Sequence, residues 1–242
     1  MHHPTERYNI LLIGDEPGLL RMLRRNLVER GYEVDLALDG VEAEQLIARN
    51  NYDLFVLNLD FTSIEVDGLD ICKSVREKSK SPLIGISSIG EERRKIKAFD
   101  FGADDYLVMP FSMEEFLARV RSSIRRWSNY VNSQQIQDNK PEEDLLMFSG
   151  LRIDLLGRKV FLNNEIIRLT PTEYDILVFL AQKQGRVVTH REILRSIWGI
   201  EYGDEREYLR VFISQLRKKL DDNSLEPKYI VTEPGVGYRF EG

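Results

Sequence analysis

From Tyr8 to Trp127 short apolar runs alternate with amphipathic stretches of helical period, the pattern of parallel strands joined by crossover helices. Runs at Tyr8–Ile13, Glu33–Ala37, Asp53–Leu57, Pro82–Ile86 and Asp104–Leu107 predict five strands. Most are nearly uniformly apolar, as strands covered on both faces should be. Five helices are expected among them. The first follows Asp15-Glu16-Pro17, sets Leu20, Leu23 and Leu27 on one stripe and stops at Arg30-Gly31, where glycine makes a natural cap. The last is expected over 112–126, with Ser112 and Glu115 at capping-box spacing. This half reads as an α/β domain with a doubly wound five-stranded parallel sheet.

Residues 128–141 are polar and carry no sustained apolar period, which predicts a linker between a domain over 1–127 and a second over 142–242. In the second, strands are expected at Leu151–Asp154, Lys159–Leu162 and Glu165–Leu169. Thr170-Pro171-Thr172-Glu173 then opens a helix through Gln182, with Thr170 as N-cap, Pro171 in the first turn and Glu173 completing a capping box. Helices over His190–Ile197 and Glu205–Leu220 follow. A hairpin of Tyr229–Thr232 and Gly237–Phe240 turns at Pro234-Gly235. The order of strands, helices and hairpin indicates an α+β domain. In the long helix Leu209, Ile213, Leu216 and Leu220 share one stripe, which turns Val211, Ser214, Gln215 and Lys218 outward.

Composition narrows the classes. The chain is 42% hydrophobic and 31% charged, and no apolar run approaches the roughly 18 residues that a membrane span requires. Met1–Arg7 lacks the basic and apolar segments of a secretory signal, so a cytoplasmic protein without membrane contact is expected. Cys72 is the sole cysteine and the histidines are His2, His3 and His190, too few for a disulfide, a thiolate cluster or a zinc motif. No nucleophile with a base and no complete metal site is visible, so no catalytic residue, cofactor or metal is expected. A net charge of −6 argues at first against nucleic acid. Distribution counts for more: Arg206, Arg210, Arg217, Lys218 and Lys219 gather on one predicted helix, a local footprint for phosphate.

Several motifs carry a family resemblance. Ile10-Leu-Leu-Ile-Gly-Asp-Glu-Pro17, Gly31-Tyr-Glu-Val34, Asp67-Gly68-Leu69 and Gly102-Ala-Asp-Asp-Tyr-Leu-Val-Met-Pro-Phe111 resemble a response-regulator receiver. Leu169-Thr-Pro-Thr-Glu-Tyr174, Gly185-Arg-Val-Val188, Ile197-Trp198-Gly199, Ile213-Ser-Gln-Leu-Arg-Lys-Lys-Leu220 and Gly235-Val-Gly-Tyr-Arg-Phe240 resemble a winged-helix effector. End to end the chain is similar to the OmpR/PhoB transcription factors, which implies a flavodoxin-like receiver followed by a winged helix-turn-helix domain.

The resemblance also shows what the pocket lacks. In such receivers an aspartate ending the third strand accepts a phosphoryl group, two acidic residues after the first strand hold magnesium, and a lysine pairs with the phosphoryl oxygens. Here Asn58 stands at the acceptor position, Gly14 replaces the first acidic residue, Met109 replaces the lysine, and Asp15 remains with Glu16 beside it. An amide is no phosphoryl acceptor, and one carboxylate holds magnesium weakly. Asp60 is a nearby carboxylate that an unusual acceptor site would have to use, but two residues past the strand-end position it is expected to point elsewhere. The loop after Asn58 is about two residues longer than the family spacing, and Phe61-Thr62-Ser63 lacks the usual proline. Ser87 and Tyr106 match the hydroxyl and aromatic residues that relay activation.

Dimerisation through the fourth helix, fifth strand and fifth helix is implied as well. Lys95 would pair with Glu115, Asp105 with Arg119 and Asp104 with Arg121, around Ile96, Phe99 and Leu117. In the effector, Gln215 and Val211 are the candidate base readers beside Ser214, while Arg210, Arg217 and Lys218 would hold phosphate of promoter DNA, in directly repeated half-sites, with RNA polymerase as a further partner. Glu207 and Ser214 stand where basic residues are common, and Pro234 where an arginine often enters the minor groove. The expected function is a sequence-specific transcriptional regulator that dimerises without phosphorylation. The alternatives are a phosphorylation-switched regulator with an unusual acceptor, or a protein-interaction adapter with weak DNA binding.

Overall fold

A computed structural model describes residues 8–61, 67–90, 92–135, 144–200, 202 and 205–242. Met1–Arg7, residues 62–66 of the loop after Asn58 and the predicted linker residues 136–141 lie outside these. The chain divides into two compact units, Met1–Trp127 and Ser128–Gly242.

In the first unit strands and helices alternate: β1 (Asn9–Ile13), α1 (Pro17–Val28), β2 (Glu33–Ala37), α2 (Gly40–Arg49), β3 (Leu54–Asn58), α3 (Gly68–Lys78), β4 (Leu83–Ser87), α4 (Glu92–Asp100), β5 (Asp105–Val108) and α5 (Met113–Gln135), which starts in this unit and runs past its last residue, Trp127. The strands form one sheet in the order β2-β1-β3-β4-β5, all parallel. Alternation along each strand sends Ile10, Leu12, Val56, Ile84, Ile86 and Leu107 into a core with Leu20, Leu23 and Leu27 of α1 and Phe116, Leu117, Val120 and Ile124 of α5. Their neighbours Leu11, Ile13, Phe55 and Leu57 are equally buried. The expected doubly wound sheet is present.

Two details differ from expectation. Ser112 Oγ accepts from the Glu115 N–H at 3.0 Å, but the Glu115 carboxylate accepts from Arg119 at 2.7 Å instead of closing the capping box. Helix α5 also continues to Gln135, through the first eight residues of the expected linker. Extending a helix that is already nucleated costs little even through polar sequence.

The second unit opens with an antiparallel meander of β6 (Leu145–Phe148), β7 (Leu151–Asp154), β8 (Lys159–Leu162) and β9 (Glu165–Ile167). Three helices follow, α6 (Pro171–Ala181), α7 (His190–Ile197) and α8 (Arg206–Leu220). A sheet of β10 (Val187–Thr189), β12 (Gly237–Phe240) and β11 (Ile230–Glu233), in that order, completes it. The α6 capping box is as expected: Thr170 accepts from the Glu173 N–H, and Glu173 accepts from the Thr170 N–H at 2.7 Å. Trp198, Phe212, Tyr229 and Phe240 are fully buried, so Trp198 belongs to the core. Val236 N–H donates to Glu233 O across the tip, with Pro234 second and Gly235 at φ +75° third, the signature of a type II turn. At Gly237 a Cβ would stand 1.9 Å from Val188 O, so the β10–β12 contact requires glycine there.

Candidate functional site

Parallel strands bring their carboxyl ends to one edge, and in the order 2-1-3-4-5 the chain reverses direction between β1 and β3, where open α/β sheets place their ligands. Gly14 after β1, Asn58 ending β3 and Ser87 ending β4 meet there, all buried. Asp15 and Glu16 are exposed on the rim. Met109, after β5, packs against the core cluster. A Cβ at Gly14 would lie 2.9 Å from the Asn58 Cβ, so a larger residue at 14 would crowd the end of β3. At Gly68 an added Cβ would stand 2.8 Å from Asn58 O and from the Leu59 backbone, so only glycine lets α3 start this close to the end of β3, where the Asp67–Asp70 capping box fixes it. This explains the matched Asp67-Gly68-Leu69.

Asn58 Oδ1 accepts from the Asp60 N–H at 3.0 Å, whereas Asn58 Nδ2 is buried without a hydrogen-bond partner. The Asp60 carboxylate turns into the pocket and accepts from Ser87 Oγ at 2.5 Å, Ser88 Oγ at 2.6 Å and the Ser88 N–H. Arg94 Nε stands 3.4 Å from it, an ion pair without hydrogen-bond geometry. Burial pushes the Asp60 carboxyl up, but these hydrogen bonds and the Arg94 charge outweigh burial and hold it below the usual carboxylate range. Tyr106 is fully buried with its hydroxyl donating to Ile89 O at 2.8 Å; burial, above all, pushes that hydroxyl up. Sequence reasoning aimed Asp60 away from the pocket. The structure corrects this, because the turn after β3 folds back through the Asn58–Asp60 bond.

The expected dimer residues divide. Lys95 and Ile96 are half-buried, and Glu115 and Arg121 are exposed. Phe99 and Leu117 are buried within the unit instead of forming a surface patch. Asp105 pairs with Arg119 of the same chain at 2.8 Å, both buried. Asp104 is fully buried, 2.7 Å from Arg76 Nη2, and also accepts from the Leu83 N–H. The Asp104–Arg121 pairing expected from sequence therefore meets a carboxylate already used to join α3, β4 and β5.

In the second unit α8 presents Arg206, Arg210, Ser214 and Lys218 as an exposed row, with Gln215 half-buried beside it. Val211, expected outward, is only 9% exposed. Tyr208 and Phe212 are buried as well, so the apolar face of α8 is wider than the leucine stripe. Arg217 is half-buried, and its Nη2 donates to Ile230 O at 2.6 Å and Thr232 Oγ1 at 2.8 Å, tying α8 to β11. Asp222, just past the helix, accepts from the N–H groups of Lys228, Tyr229 and Ile230 and anchors the same strand. A groove of about 660 Å³ runs here, lined by Arg210, Ser214, Arg217 and Lys218 among others, with Thr232 and Tyr238 opposite. His190 packs edge-on against Tyr238; burial lowers its pKa, as do Arg206 and Arg210.

A receiver-type α/β unit followed by a winged helix with a basic exposed helix face defines a DNA-binding transcriptional regulator. Residues 10–121 match the response regulator receiver domain, and residues 163–240 match the C-terminal domain of transcriptional regulatory proteins. The chain is 39% identical over 232 residues to the transcriptional regulatory protein KdpE of Mycobacterium tuberculosis, covering 96% of this chain and 98% of that one. With ResD of Bacillus subtilis the identity is 36% over 240 residues, 98% and 97% of the two chains. Among solved structures, a RitR C128S mutant superposes with a TM-score of 0.72 at 27% identity, covering 97% of this chain and all of that one. DrrB of Thermotoga maritima, described as an OmpR/PhoB homologue, gives 0.50 at 29% identity, over 98% and 100%. The chain belongs to the OmpR/PhoB family of response regulators, which are transcription factors and not enzymes. No helix among the described residues is long and apolar enough to cross a membrane.

Proposed function

We propose that this regulator acts on promoter DNA without conventional phosphorylation of its receiver. The observation that carries the reading is the strand-end pocket itself: an amide at Asn58, no carboxylate at Gly14, a thioether at Met109 and Asp60 held by three hydrogen bonds and the Arg94 charge. Phosphoryl transfer to a carboxylate needs a free nucleophilic oxygen, a divalent cation on several oxygens and a countercharge for the transferred group. Each is compromised at once. The two carboxylates left at the rim, Asp15 and Glu16, face solvent. Incubation with acetyl phosphate and magnesium, followed by intact mass measurement, tests this: the wild type stays unmodified. Stoichiometric labelling at Asp60 or Asp15 overturns the reading and favours a switched regulator with an unusual acceptor.

DNA reading falls to the exposed row of α8. Gln215 and Ser214 contact base edges, Arg210 and Lys218 contact phosphate, and Arg217 holds the wing hairpin against the helix. Dimerisation uses the α4–β5–α5 face, with Lys95, Glu115 and Arg121 as its accessible charges. The buried Asp104, Asp105 and Arg119 shape that face from within their own chain. Directly repeated half-sites spaced by about one helical turn, roughly 10–11 base pairs, suit such a dimer.

A further inference from the structure

The surroundings of Asp60 resemble an anion site whose anion is part of the chain. Two hydroxyls and a backbone N–H donate to its two oxygens and the Arg94 guanidinium supplies a positive charge beside them, a set of the kind that binds phosphate or carboxylate ligands. The donors come from the end of β4, the residue after it, and α4. Arg94 also donates to Leu59 O, so α4 is tied to the end of β3 by two contacts. The chain of bonds continues inward: Ser87 Oγ accepts from the Ile89 N–H at 3.0 Å, and Ile89 O accepts from the Tyr106 hydroxyl. One carboxylate thus joins β3, the β4–α4 connection, α4 and, through Ile89, β5.

Asn58 takes part in the arrangement. Its Oδ1 lies against the Asp60 N–H in a buried pocket. An aspartate at that position would put a second negative charge in the same strand-end pocket as Asp60, and like charges sharing a site oppose each other. The amide keeps the shape and removes the repulsion.

We propose that Asp60 is an internal anion latch: its carboxylate fills the anion position of the strand-end pocket and, through Ser87, Ser88 and Arg94, holds α4 in one arrangement without added phosphate. This rests on the reading that the pocket takes no phosphoryl group. Asparagine at position 58 is then a requirement of the latch as much as a lost acceptor.

Hydrogen exchange of the full chain, read on peptides covering 88–100 and on β1 and β3 as internal controls, tests the latch. Asp60→Asn keeps the shape and removes the charge; it speeds exchange in 88–100 by about tenfold, roughly the worth of one charge-assisted hydrogen bond, while β1 and β3 stay at wild-type protection. Asn58→Asp does the same by repulsion. In Asp60→Ala the vacated donors take an added anion, so millimolar inorganic phosphate slows the exchange of 88–100 back toward wild type and leaves the wild type unaffected. Exchange within about twofold of wild type in both Asp60→Asn and Asn58→Asp overturns the latch, since the expected loss of charge-assisted bonds is larger than that. Absence of any phosphate effect on Asp60→Ala, with its β1 and β3 protected, overturns the anion site. Acetyl phosphate labelling of the wild type is a separate readout: modification there removes the unphosphorylated reading, whereas unchanged exchange in an unlabelled protein removes the latch alone.

Discussion

A single methylene decides how far the pocket can be restored toward phosphoryl chemistry. Because the Gly14 and Asn58 positions already stand too close for two Cβ atoms, the triple change Gly14→Asp, Asn58→Asp, Met109→Lys must shift the β1 or β3 end before a metal can bind. We expect Asn58→Asp alone to label poorly with acetyl phosphate and the triple variant to label best but below stoichiometry, as intact mass will read. In the effector unit His190 offers a pH test. Its folded pKa lies below the ordinary 6.5 through burial and its two arginine neighbours, so the folded state binds fewer protons than the unfolded one in that range. Stability is therefore full above pH 6.5 and falls as pH drops below it. His190→Gln should flatten the fall in melting temperature between about pH 7 and pH 5. Gln215→Ala should relax preference at one base pair, a loss of about 1–3 kcal/mol against the best site that shrinks on mismatched sites. Arg217→Ala should act differently, lowering affinity for all sites alike and loosening β11 in hydrogen exchange.

Elements were legible where one face or both are apolar, and less so where local sequence is polar or short. The receiver strands lie within a residue or so of their apolar runs: β1, β3, β4 and β5 because burial on both faces leaves no alternative pattern, and β2 because Val34 and Ala37 are buried while Glu33 and Asp35 face out. By contrast β10 has only three residues and takes its pairing from β12, far along the chain, while β6 is half-buried and has a weak signature. The continuation of α5 is invisible in 128–135 for the reason that its support comes from the helix before it. Val211 was misplaced because spacing counts leucines and does not foresee that Tyr208 and Phe212 widen the buried arc. The Asp60 contacts join residues 27 and 28 positions apart, and no local pattern encodes such a meeting. Caps, on the other hand, are local chemistry and were readable. Thr170→Ala should cost about 1 kcal/mol in urea unfolding, by leaving the Glu173 N–H without its acceptor. Asp104→Ala should cost about 3–5 kcal/mol, because Arg76 would keep its charge in a largely enclosed site without its partner.

At the scale of the molecule an acidic protein carries a basic reading face, and net charge alone would have hidden its function. The same separation of local from total charge applies to self-association. Lys95→Glu should weaken the proposed dimer, and adding Glu115→Lys should restore it, with each step no larger than about 1 kcal/mol since Glu115 is exposed and Lys95 only half-buried; sedimentation over a range of concentrations measures this. A protein that stays monomeric at every concentration would leave the charge pair without a role. The bonds from Arg217 to Ile230 and Thr232, with Asp222 gripping three amides at the start of β11, have a consequence for the operator. They make helix and wing a caliper of set opening. Under the proposed DNA contacts a half-site is then measured as a fixed length, so one base pair inserted between the stretch assigned to α8 and that facing the wing tip should abolish one of the two footprints, whichever grips more weakly, because the caliper cannot widen.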